Sequence, residues 1–118
     1  MAQLKTILLI DDDEDLREAL REQFAMTEEF NVVEVGTGAE ALKHVKNRLF
    51  DLLILDVGLP DTDGRELCRL MRKQGLKSPL IMLTGHVTDA DTILGLDAGA
   101  NDYVTKPFKF SVLLARIR

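Results

Sequence analysis

The sequence predicts an α/β protein built on an open parallel sheet, and three observations predict it. Short apolar runs alternate with amphipathic segments along the whole chain, which is the pattern of successive βα units. Four of the apolar segments end in groups that carry chemistry. Ile7-Leu8-Leu9-Ile10 runs into Asp11-Asp12-Asp13, and Leu52-Leu53-Ile54-Leu55 into Asp56. Leu80-Ile81-Met82-Leu83 runs into Thr84, and Asp102–Thr105 into Lys106-Pro107. In such a sheet the C-terminal strand ends share one edge, where ligands bind. Finally, 118 residues without linker, repeat or low-complexity stretch suit one domain with one core.

The elements follow in order. The first strand covers about Leu4–Ile10. The first helix covers about Glu14–Met26, with Leu16, Ala19, Leu20 and Phe24 at helical spacing. The second strand is about Asn31–Val35. Thr37 then caps a helix that runs to about Asn47, and Glu40 three residues on completes a capping box. Ala39, Leu42 and Val45 are its expected inward residues. The third strand is about Asp51–Asp56. Pro60 and Gly64 bracket a loop, and the third helix runs to about Gln74. The fourth strand is about Leu80–Thr84, and its helix, about Asp89–Ala98, is ended by Gly99. The fifth strand is about Asp102–Thr105. The fifth helix starts near Phe110 and is still in pattern at Arg118, the expectation for a domain taken from a longer protein.

Bulk properties narrow the function classes. With 46% hydrophobic and 30% charged residues the chain reads as soluble and globular. The net charge of -5 argues against a nucleic-acid surface on this domain, because phosphate binding needs a basic patch. No apolar run approaches the roughly 20 residues of a membrane span, and no signal peptide is legible. The single cysteine, Cys68, forms no internal disulfide and fits a reducing, cytoplasmic compartment; it reads as a small buried hydrophobe on a helix.

The acids of the first and third strand ends are expected to converge. Carboxylates a few ångströms apart repel, and each raises the others' proton affinity. A divalent cation relieves this, and Mg²⁺ suits an all-oxygen site that keeps several waters. Asp13, Glu14 and Asp15 have a plainer explanation, as the cap and first turn of a helix. That explanation does not reach Asp56, which closes an apolar strand. Two other motifs fail on detail. Asp11, Asp13, Asp15 and Glu22 match a calcium loop, but Leu16 stands where that loop turns sharply on glycine. Asp11-x-Asp13 matches phosphatases with a paired-aspartate nucleophile, but Asp15 stands where that motif has Thr or Val.

Thr84 and Lys106 complete the edge. A lysine after a strand is ordinarily solvated, and a threonine there is an ordinary β-former. Beside the acids, a hydroxyl and an ammonium are what a phosphoryl group needs to neutralise its oxygens. A cis peptide between Lys106 and Pro107 is expected, turning the lysine into the pocket.

The segments ILLIDDDEDLRE, LLILDVGLPDTDG, LIMLTGH and GANDYVTKPF, in this order and spacing, resemble the receiver domain of bacterial two-component response regulators. The resemblance spans essentially the whole chain. It implies a flavodoxin-like, doubly wound (βα)5 sheet in order 2-1-3-4-5. It implies Asp56 as phosphoacceptor, and Mg²⁺ held by Asp12, Asp56 and the main-chain carbonyl of Gly58, with Asp11 acting through water. Lys106 and Thr84 would contact the phosphoryl group, Gly85 would leave room for it, and Tyr103 would be the aromatic switch that follows Thr84. Gly58 and His86 flank the route of an attacking water; Gly58 brings no side chain to cover the phosphate.

The implied function is a signalling switch charged by a sensor histidine kinase, with no turnover beyond self-phosphorylation and autodephosphorylation. The rival is a Mg²⁺-dependent phosphatase with an aspartate nucleophile, which would need a cap or lid that this chain has no insertion for. Similarity to the winged-helix (OmpR-like) class implies a homodimer when phosphorylated, through the fourth helix, fifth strand and fifth helix. Asp102–Arg116 and Asp97–Arg118 are its expected cross-subunit pairs. A further pair of that class is missing, since its positions hold Thr92 and Val112. A DNA-binding output domain is expected beyond residue 118.

Overall fold

Strands with continuous apolar runs bury both faces, as parallel strands between helix layers must. A computed structural model of the chain describes residues 3–85 and 88–118. Its strands are β1 (Lys5–Ile10), β2 (Phe30–Val35), β3 (Leu52–Asp56), β4 (Leu80–Thr84) and β5 (Asp102–Thr105). They form one parallel sheet in the order β2-β1-β3-β4-β5, as the resemblance implies. The helices are α1 (Glu14–Thr27), α2 (Gly38–Asn47), α3 (Gly64–Lys73), α4 (Asp89–Asp97) and α5 (Phe110–Ile117).

Side chains alternate across each strand, so the sheet splits the core in two. Leu8, Ile10, Leu53, Leu55 and Met82 pack with Ala41 of α2 and Leu67, Cys68 and Met71 of α3. Ile7, Leu9, Ile54, Ile81 and Leu83 pack on the other face with Leu20 and Phe24 of α1 and Leu113 of α5. Phe24 meets Phe30 and Phe110 edge-to-face at centroid distances of 5.4 and 5.0 Å. Such pairs add about 0.5–1.5 kcal/mol each beyond their buried area.

Several element limits differ from the sequence expectation for local reasons. β3 starts at Leu52 because the Asp51 carboxylate accepts the Thr6 N–H at 2.7 Å, closing the strand's entry. β2 starts one residue early, where Phe30 pairs with Lys5. α1 runs to Thr27 and closes on Glu28 at φ 58°. α3 stops at Lys73, with Gln74 as its cap. Ala19 is exposed, because the buried stripe of α1 passes through Leu20 and Phe24. Ala39 is exposed as well: α2 buries Gly38 and Ala41 and leans on Leu42 and Val45, and Ala39 lies off that stripe. Thr37 caps α2 through the Glu40 N–H at 3.2 Å, but the Glu40 carboxylate returns to the Thr37 hydroxyl rather than to its N–H. Cys68 is fully buried, as expected. Among the described residues, no helix is long and apolar enough to cross a membrane.

Candidate functional site

Strand register places the chemistry. Ile10 pairs with Leu55, so Asp11 comes level with Asp56 at the C-terminal edge. Asp56 pairs with Leu83 and Thr84 with Thr105, which sets Thr84 and Lys106 next in line. Among the described residues, the buried polar and charged ones are Asp11, Asp56 and Thr84. Burying a polar group is costly without a partner, so finding these three at one edge marks a site.

Carboxylate oxygens of Asp11, Asp12 and Asp56 all lie within 4.8 Å of one another. Asp12 is exposed, so the cluster opens to solvent on one side. This all-oxygen donor set, with room for water, fits a hard divalent cation. Lys106 Nζ donates to Asp11 Oδ2 at 2.9 Å and to Asp56 Oδ1 at 3.4 Å. The Lys106–Pro107 bond is cis. Burial lowers the Lys106 pKa, but the hydrogen bond and charge of Asp11, and then Asp56, outweigh it and the ammonium is held above its ordinary value. Burial pushes the Asp56 carboxyl up; Asp11 adds to this, while Lys106 and the Gly58 N–H oppose it. Asp13 caps α1 by accepting the Leu16 N–H, the role expected of it.

Around Asp56 the chain is pared to glycine. A Cβ at Gly64 would sit 2.3 Å from the Asp56 carbonyl oxygen, so only glycine lets α3 start this close to β3. At Gly58 a Cβ would approach Asp56 Oδ2 at 3.7 Å, and at Gly85 it would meet nothing within 4 Å. His86 lies outside the described residues.

Tyr103 is half-buried. Burial pushes its phenol pKa up, and the neighbouring Thr84 hydroxyl opposes this. Its ring lies on α4 where a Cβ on Gly95 would come within 2.8 Å of it. The residues expected at a dimer face are less uniform. Arg116 Nη1 pairs with Asp102 Oδ2 at 3.1 Å inside one chain. Arg118 turns instead to Glu29, and Asp97 is exposed on α4.

Three residues went unread in the sequence. Arg17 donates to the Asp11 main-chain carbonyl at 2.6 Å. Its signal was spacing: it precedes Leu20 by three and Phe24 by seven, a charged residue on a buried stripe. Asp61, in the loop after Asp56, receives the Gly38 and Ala39 N–H groups at 2.8 and 3.0 Å and so caps α2 from outside. Arg65 pairs with Asp63 at 3.0 Å and with Asp91 at 3.6 Å, linking α3 to α4. The Asp61 cap and the Arg65–Asp91 pair join residues far apart in sequence and have no local signature.

Comparison with known proteins decides the family. The model of the response regulator receiver domain matches residues 7–118. The chain belongs to the response regulator receiver domain family. It is 43% identical over 112 residues to the response regulator MprA of Mycobacterium leprae, covering 95% of this receiver and 49% of MprA. It is 40% identical over 114 residues to the alkaline phosphatase synthesis transcriptional regulatory protein PhoP of Bacillus subtilis, covering 97% and 47%. Among solved structures it is similar to DrrB, a Thermotoga maritima OmpR/PhoB homolog, with a TM-score of 0.86 and 34% identity over 98% of this receiver and 51% of that chain. The receiver thus spans about half the length of the curated relatives it matches. As a response regulator receiver it is a module of two-component phospho-signalling, and the phosphatase alternative is not favoured.

Proposed function

We propose that this receiver is switched by a phosphoryl group on Asp56. The observation that carries the reading is the convergence of the buried Asp11, Asp56 and Thr84 with the Lys106 ammonium at one sheet edge. An Asp56 carboxylate oxygen attacks the phosphorus of a kinase phosphohistidine. The new O–P bond forms as the P–N bond breaks, and the departing imidazole takes a proton from solvent. Lys106, already on Asp56, stabilises the charge on the transferring oxygens, and Thr84 offers its hydroxyl to the same group. The openness at Gly58 and Gly85 leaves the acceptor accessible. Asp12 and Asp56, the Gly58 carbonyl, and Asp11 through water would hold Mg²⁺. When bound, the ion neutralises charge on the acids and on the incoming phosphoryl oxygens.

Once Thr84 engages a phosphoryl oxygen, its interaction with the neighbouring Tyr103 changes. That carries the event to α4, β5 and α5. The outer surface there exposes Ile93, Leu94 and Leu96 on α4 and Val112 on α5, an apolar face that fits a homodimer contact. In the whole protein, residues 1–118 would be the receiver unit of a cytoplasmic regulator. A sensor histidine kinase would be its donor and a C-terminal winged-helix domain its DNA-binding output. The net charge of -5 disfavours direct DNA contact by the receiver itself.

Turnover separates the switch from an enzyme. Acetyl phosphate should load the protein once, and p-nitrophenyl phosphate should give no sustained release of nitrophenol. Steady multiple turnover of the aryl ester would overturn the switch reading in favour of a phosphatase.

A further inference from the structure

Arg17 sits in a cradle built by three segments. Its Nη1 donates to the main-chain carbonyl of Asp11 at 2.6 Å, and its Nε to Glu34 Oε1 on β2 at 3.4 Å. The second Glu34 oxygen accepts from Arg21 Nη1 at 2.5 Å. Gly36 gives the guanidinium room: a Cβ there would stand 3.2 Å from Arg17 Nη1. The Arg17 side chain is 17% exposed, against 50% for Arg21 on the same acid. An arginine serving only as a surface partner of Glu34 would not be confined in this way, since ordering it costs side-chain entropy.

We infer that Arg17 is a positioning residue for the cation site, acting through the Asp11 carbonyl. The turn between β1 and α1 carries both Asp11 and Asp12. Besides the Lys106 bond to Asp11 Oδ2, it is held at three points: the Asp11 N–H donates to Val35 at 3.1 Å, Asp11 Oδ1 accepts the Asp13 N–H at 3.0 Å, and the Asp11 carbonyl accepts Arg17. Two of these holds need only backbone or Asp11 itself. The third is a forked guanidinium that reaches a carbonyl and a carboxylate at once, which a lysine cannot reproduce. Without it the peptide between Asp11 and Asp12 is freer to rotate, and the exposed Asp12 carboxylate moves with it.

The inference rests on the reading of Asp11, Asp12 and Asp56 as a Mg²⁺ site, and charge makes it testable. Removing a cation from beside a cation site should tighten Mg²⁺ binding if only electrostatics matter. Removing a positioning group should weaken it. Isothermal titration with MgCl₂ on the wild type, Arg17→Ala, Arg17→Lys and Arg21→Ala separates the two, with folding checked by circular dichroism. Arg17→Ala should raise the Mg²⁺ Kd about tenfold, the lower end of what losing an outer-shell partner costs a metal site. Arg17→Lys keeps the charge and should still bind more weakly than wild type. Arg21→Ala loses the same acid partner without touching Asp11 and should stay within about twofold. Unchanged or tighter binding in Arg17→Ala would overturn the inference, as would an equal loss in Arg21→Ala. If Arg17→Ala fails to fold, Arg17→Lys decides alone, and a wild-type Kd there overturns it. Absence of Mg²⁺ binding by the wild type would instead refute the metal site itself.

Discussion

Asp56 is held where ionising is unfavourable. Burial is the main cause and Asp11 the second, and together they outweigh Lys106 and the Gly58 N–H. The sign follows from linkage. With its folded pKa above the ordinary value of 3.8, the folded state keeps a proton that the unfolded chain releases, so stability falls as pH rises through that window. Asn at 56 carries no such cost, and Lys106 keeps its bond to Asp11. Asp56→Asn should therefore melt above wild type at neutral pH, with the difference shrinking as pH falls toward and below 3.8. Thermal melts across that range would show it; a variant less stable than wild type at neutral pH would contradict it. Residues of this kind were legible in the sequence because each ends an apolar strand, where a polar group has no packing reason to be. Arg17 and Asp61 were not, because their targets are main-chain groups that only the fold brings near.

Elements are positioned by what they lack as much as by what they bury. α3 can start against β3 because Gly64 has no side chain, and the same loop sends Asp61 to cap α2. Gly64→Ala would put a Cβ into the Asp56 carbonyl, backbone that cannot yield without moving β3 or α3. The expected cost is about 1–3 kcal/mol, as for overpacking elsewhere, together with slower phosphoryl uptake, because the Asp56 peptide moves. Chemical denaturation and the rate of acetyl phosphate labelling check both. The sheet was legible at this scale for a physical reason. Strands buried on both faces are uniformly apolar, so β1, β3 and β4 announce themselves. Helix faces were less so: Ala19 and Ala39 are apolar enough to read as core, yet small enough to sit in solvent at little cost. The sheet order does not follow from composition or periodicity; it came with the motif spacing that resembles the receiver family.

At the scale of the whole molecule, the receiver covers about half of its curated relatives, and its output must pass through a surface. The α4-β5-α5 face is the candidate. Asp102 and Arg116 already pair within one chain, so a dimer that uses them must exchange an internal partner for one across the interface. Exposed pairs contribute only about 0–1 kcal/mol, so the exposed Ile93, Leu94 and Leu96 must supply most of the contact. Arg118, bound to Glu29, is a weaker candidate than the sequence led one to expect. Sedimentation with beryllofluoride should show dimers at about tens of micromolar, as a small, wet interface allows, and Arg116→Glu should weaken them. A monomer under these conditions, or an undiminished dimer in Arg116→Glu, would place the output elsewhere.

All of this depends on Asp56 being the acceptor, and intact-mass spectrometry tests that most directly. After incubation with acetyl phosphate and Mg²⁺, the wild-type chain should gain the mass of one phosphoryl group, and Asp56→Asn, folded and otherwise identical, should gain none. Undiminished labelling of Asp56→Asn, or no labelling of the wild type by either acetyl phosphate or a phosphohistidine donor, would contradict the account.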